Sequence, residues 1–180
     1  MTKYTMDMVL EYAKVFEGNR DMGSDQNSAA KKAMKHNGQY VVNAYFTNED
    51  DIEKITADGI DLKPMGHDRI KEGSSLGIGK YIKLSRMHDH VMTFKDKNGD
   101  DVDVNLGGPP KVVNLTEGPE NKRYWLFDED GALGNGTKAK VQWETYSNGA
   151  GTRLANIGVM EHVAFEGSAP SADDEMFMVD

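Results

Sequence analysis

Cations and aromatic rings alternate along several short stretches of this chain. Lys80, Tyr81, Lys83 and Arg86 fall within seven residues, and Phe94, Lys95 and Lys97 follow. Lys111 stands alone, and Lys138, Lys140, Tyr146 and Arg153 come from one later pair of segments. Cations that track phosphates, with aromatic faces that stack on bases, are the chemistry that holds a single nucleic-acid strand. A solvated β face with ordinary lysines carries the same composition, so the elements that position these residues decide between the two.

Other constellations are weaker. His88-Asp89-His90 invites a metal, but residues 88 and 90 alone are two ligands, and His36, His67 and His162 are scattered. Gly77-Ile78-Gly79-Lys80 and Gly134-Asn135-Gly136-Thr137-Lys138 complete neither a Walker loop nor a dinucleotide fingerprint. Asp100, Asp101 and Asp103 lack the spacing of a calcium loop. No nucleophile–base pair stands out, so no enzyme activity, metal or cofactor is expected.

The net charge of −9 argues at first against a nucleic-acid partner. Its distribution reverses that argument. Residues 62–97 hold eight Lys or Arg against four Asp or Glu, whereas residues 37–61 hold one against six. Residues 161–180 hold six acids and no Lys or Arg. A basic band lies inside an acidic protein. The end of the chain, SADDEMFMVD, combines Asp173, Asp174 and Glu175 with Met176 and Phe177. Such a segment can occupy the protein's own basic groove or offer an acidic-hydrophobic peptide to a partner. The absence of cysteine fits a reducing, cytoplasmic setting. No run of apolar residues approaches a membrane span, so no membrane partner is expected.

The elements read as mainly β. Residues 5–16 place Met6, Val9, Ala13 and Phe16 at helical spacing, and residues 28–36 suggest a second helix, capped by Ser28. Residues 39–47 are rich in β-branched and aromatic side chains. Asn48 caps a helical turn that ends at Gly59. Residues 80–87 read as a strand, and 90–95 with 101–106 read as a hairpin around Asn98-Gly99. Residues 111–115 and 123–127 suggest further strands. Residues 137–146 alternate, with Ala139, Val141 and Trp143 on the core side and Lys138, Lys140, Gln142 and Tyr146 opposite. A last long strand over 152–165 is expected to bulge near Gly158. The fold class expected is a small Greek-key OB-type barrel with one to three short helices. The domain reading is a helical segment over 1–36, the barrel over 37–166 and a disordered acidic tail over 167–180.

GGPPKVV at 107–113, LGNGTKAKVQWETY at 133–146 and TRLANIGVMEHVAFE at 152–166 occur in that order. Upstream stand QYVVNAYF, DIEKITADGI and GIGKYIKLSR. Together they resemble the OB-fold single-stranded-DNA-binding proteins of tailed bacteriophages, over roughly residues 38–166. The order of the pieces carries the resemblance more than any one of them. It implies sequence-tolerant binding of single-stranded DNA during phage replication or recombination, in the cytoplasm of an infected host. It implies a DNA side made by Lys80, Lys83, Arg86, Lys111, Lys138 and Lys140, with Tyr81 and Tyr146 as stackers. It also implies that the tail contacts a phage DNA polymerase or helicase/primase, and it leaves a homo-oligomer open. Residues 1–36 have no counterpart in the resemblance, and Phe177 stops short of the terminus. Two other readings compete. One is a β-rich phage structural or assembly protein, and the other is a metal-dependent nuclease using His88, Asp89 and His90.

Overall fold

The computed structural model describes residues 2–165. Their architecture is mainly β, as expected. The first element overturns one reading. Residues 5–16 are not a helix: strand β1 runs Thr2–Lys14. Tyr4, Met6, Met8 and Leu10 are buried, while Thr5 and Asp7 are exposed. That is the two-residue period of a strand. The stretch satisfies both periodicities at Met6, and pairing with two neighbours decides between them. β1 is central to the sheet, so residues 1–36 are not a separate helical segment. They contribute a core strand and helix α1, Ser28–Lys35. Asn27, rather than Ser28, caps α1 by accepting from the Ala30 N–H at 2.9 Å.

Most later elements lie where the sequence puts them. Strand β2 runs Gln39–Phe46, and helix α2 runs Glu49–Ala57 with Asn48 as its cap. Short β3, Ile70–Glu72, pairs with the strand that follows it. β4 is Lys80–Met87, with Ile82 and Leu84 fully buried. The hairpin is β5, Val91–Lys95, and β6, Asp101–Asn105. β7 is Lys111–Asn114. The expected strand over 123–127 shortens to β8, Arg123–Tyr124, because the chain turns at buried Trp125 into the one-turn helix α3, Phe127–Asp130. β9 is Thr137–Tyr146 and β10 is Gly151–Glu161. β10 changes register between Leu154 and Asn156 and again between Val159 and Glu161, on either side of Gly158.

The main sheet has the order β3-β4-β2-β1-β9-β10-β7-β8, and β5-β6 stand apart as a two-stranded ribbon. β9-β1-β2-β4 has the spatial order of a Greek key. β4 and β10 then face each other across the curled sheet. No ladder joins them among the described residues. The barrel is therefore partly open, and a side chain spans the gap. Arg86 donates to the Leu154 and Ala155 carbonyls of β10 at 3.4 and 3.3 Å and to the Gly107 carbonyl at 3.0 Å.

The interior holds Trp143, Met8, Leu10, Phe46, Leu154 and Ile157. Tyr4 packs on Trp143 with ring centroids 4.7 Å apart. Ala139, Val141 and Trp143 point inward as the alternation of β9 requires. No helix among the described residues is long and apolar enough to cross a membrane.

Candidate nucleic-acid interface

Strand register builds a groove on the outer surface. Gln142 of β9 faces Asn156 of β10, which faces Lys111 of β7. In the next row Lys140 faces Gly158, Gly158 faces Val113, and Val113 faces Tyr124 of β8. Because side chains on a strand alternate, these two rows share one face of the sheet. The loop after β7 folds back with Leu115 and Pro119 to wall the groove, which encloses about 800 Å³. Gly158 forms part of the floor: a Cβ there would collide with the Leu115 side chain. Close packing is thus a second reason for the glycine, beside the bulged strand.

Four cations line this groove: Lys111, Lys122, Arg123 and Lys140. Lys140 is tethered to Asp7 at 2.9 Å, and Arg123 makes a two-pronged pair with Asp130 at 2.8 and 2.9 Å. The Arg123 guanidinium, together with the Leu126 N–H, pulls the Asp130 carboxyl down to about 2. That pair therefore persists at any ordinary assay pH. Lys111 and Lys122 have no ion-pair partner among the described residues. Tyr124 is 62% exposed at the groove wall, a planar face beside four positive charges. The sequence reading missed Lys122, Arg123 and Tyr124. The signal in the sequence is the Lys-Arg-Tyr run, whose last two residues open the apolar strand expected over 123–127.

The remaining expected residues lie in several separate places. Lys138 is two residues from Lys140 on the same face and pairs with Glu161 at 3.2 Å. Tyr81 and Lys83 lie on the outer face of β4, with β2 and β1 between them and Lys138, whereas Lys80 at the strand's start shares the parity of the inward-facing Ile82 and Leu84. Lys80 pairs with Glu49 at 3.1 Å, and Tyr81 packs on Tyr45 at 5.0 Å. The loop around Ser74 covers part of that face, because the Ser74 N–H donates to the Tyr45 hydroxyl at 3.0 Å. Glu11 also sits there and accepts from Tyr45. Tyr146 is 46% exposed but lies six residues from Lys140 at the far end of β9.

Arg86 and Arg153 are committed to the fold. Arg86 bridges β4 and β10, and burial pushes its pKa down to about 10, with the Arg153 charge adding to the shift. Arg153 donates to the Glu144 carboxylate at 2.8 Å and to the Leu106 carbonyl at 2.6 Å. Both guanidiniums are engaged inside the fold, with backbone carbonyls and Glu144, and neither lines the groove.

The histidines make structural contacts. His88 Nδ1 lies 2.6 Å from the Tyr40 hydroxyl, and His36 Nδ1 lies 2.7 Å from the Asp89 carbonyl. No group of three metal-ligating side chains occurs among the described residues. Asp173, Asp174, Glu175 and Phe177 lie outside the described residues.

Base stacking on one aromatic side chain contributes about 1–3 kcal/mol, which is about 5- to 150-fold in affinity. Tyr124→Ala is expected to weaken binding of oligo(dT) within that range, while Tyr124→Phe keeps it near the starting value. Equal loss in both variants would point to the hydroxyl instead of the ring.

No protein-family model matches this chain, and no curated protein matches it.

Proposed function

We propose that this protein binds single-stranded DNA without strong sequence preference and has no catalytic role. The observation that carries the reading is the groove on β7, β8, β9 and β10. A protein of net charge −9 gathers Lys111, Lys122, Arg123 and Lys140 around an exposed tyrosine in one cleft. Lys111 and Lys122, without an ion-pair partner among the described residues, suit an anionic ligand, and the tyrosine adds a stacking face. The apolar wall made by Val113, Leu115 and Pro119 suits sugars and base edges. The Greek-key order of the strands and the resemblance to phage single-strand binders support the same function, in phage DNA replication or recombination.

In this reading the acidic tail competes with DNA for the groove, and Phe177 with its flanking acids contacts replication proteins. The test is a titration of labelled oligo(dT) followed by anisotropy. Tryptophan quenching is a poor readout, because Trp143 and Trp125 are both buried. The full chain is expected to bind at low salt and to weaken steeply as salt rises. Removing residues 168–180 is expected to tighten binding about tenfold at low salt, with the gain fading as salt screens the competing charge. If neither form binds at low salt, the proposal fails.

A further inference from the structure

The β5–β6 ribbon is not part of the barrel. Every residue of both strands is exposed. The register pairs Met92 with Val104 and Phe94 with Val102 on one face. Thr93 with Asp103 and Lys95 with Asp101 occupy the other. One face is thus an apolar stripe of four side chains, each 37–47% exposed. The opposite face carries the strand charges.

A two-stranded hairpin with an uncovered apolar face is marginal by itself in water. This one is nevertheless firmly mounted. Arg153 donates to the Leu106 carbonyl and Arg86 to the Gly107 carbonyl, while the Leu106 N–H donates to His90 at 2.7 Å. Two partly buried guanidiniums hold the base of a ribbon whose apolar face is left exposed by the described residues. We infer that the ribbon is a self-association arm, and that the stripe of one copy packs face to face on the stripe of a second copy.

The charge pattern selects that occupant. Residues 91–105 carry Lys95 and Lys97 against Asp96, Asp100, Asp101 and Asp103, so the ribbon is acidic and repels a phosphate chain. The stripe itself bears no charge, so a charged partner finds nothing on it to pair with. Asp101 and Asp103 lie on the back face, so two stripes related by a two-fold axis meet without acid facing acid. The stripe offers about 300 Å² of apolar surface per copy, against roughly 800 Å² per partner in a stable complex. Association is accordingly weak, with a dissociation constant in the tens of micromolar.

Sedimentation velocity of the full chain between about 5 and 200 µM tests this. The average mass is expected to rise from one chain toward two, while Phe94→Ser/Val102→Ser stays at one chain with an unchanged melting temperature. A wild-type chain that stays monomeric throughout overturns the inference, as does a variant that associates equally. The absence of cysteine allows a second, independent measurement. Val102→Cys treated with a short bismaleimide is expected to yield a covalent dimer, and Thr93→Cys on the back face is not. Equal yields overturn the face-to-face geometry. Binding of a short oligo(dT), measured at monomer concentrations, is expected to be the same for wild type and the double serine variant. A large loss there would assign the stripe to bases and overturn its role as an arm.

Discussion

Replacing Lys111 and Lys122 together by alanine is expected to lower affinity for oligo(dT) about 25-fold at roughly 0.1 M salt. Each lysine that neutralises a phosphate on a single strand releases about 0.7 of a counterion, which at that salt amounts to about fivefold per contact. The same double variant should flatten the plot of log affinity against log salt by about 1.4 units. These two lysines are chosen because no carboxylate among the described residues pairs with them. Lys140 and Arg123 must loosen from Asp7 and Asp130 before they give their full charge to a phosphate, so their removal should cost less. Both lysines point out of the barrel, and the melting temperature should stay within a degree or two. Lys80→Ala/Lys83→Ala is the matched comparison. If it costs as much as the groove pair, the binding path runs over β4, and the groove is not the principal contact.

The division between legible and illegible features follows sequence distance. The alternation of Ala139, Val141 and Trp143 is local, and it set the inner face of β9 correctly. Asn48 as a cap and Asn98-Gly99 as a turn are also local, and both are found. β1 reads locally as a helix because Met6, Val9, Ala13 and Phe16 sit at helical spacing, while Val9 is buried on the outer face beside Tyr45. That burial blurs an alternation otherwise kept by Tyr4, Met6, Met8 and Leu10. The groove depends on parallel pairing of β7 with β10, which joins Lys111 to Asn156 across more than forty residues. The tether between Lys140 and Asp7 crosses 133 residues. Neither pairing leaves a trace in local spacing. Lysines and arginines also read alike in sequence, although a guanidinium can satisfy several backbone carbonyls at once and an ammonium much less well.

Arg86 makes that last difference measurable. It was expected on the DNA side, yet its donors reach the Leu154, Ala155 and Gly107 carbonyls. It supplies hydrogen bonds where the β4–β10 ladder is absent. Its ε nitrogen is buried without a partner, and its pKa is pushed down to about 10. Burying the charge is therefore costly, but at neutral pH the group keeps its proton and its three contacts. Arg86→Met fills most of the volume and removes every donor. The carbonyls it served then lose their partner, and the base of the β5–β6 ribbon loses one of its two guanidinium anchors. A loss of about 3 kcal/mol is expected, or a fall in melting temperature of about 6–12 °C for a chain of this size. Arg86→Lys should recover less than half of this, because one ammonium cannot span both sides of the gap. The salt dependence of oligo(dT) binding separates the two roles. A fold-bridging arginine leaves the slope unchanged once the variant is folded, at a temperature well below its melting point. A phosphate-binding arginine would lower the slope by about 0.7 and leave the melting temperature where it was. The two signatures are opposite, so one pair of measurements on Arg86→Met decides which work this side chain does.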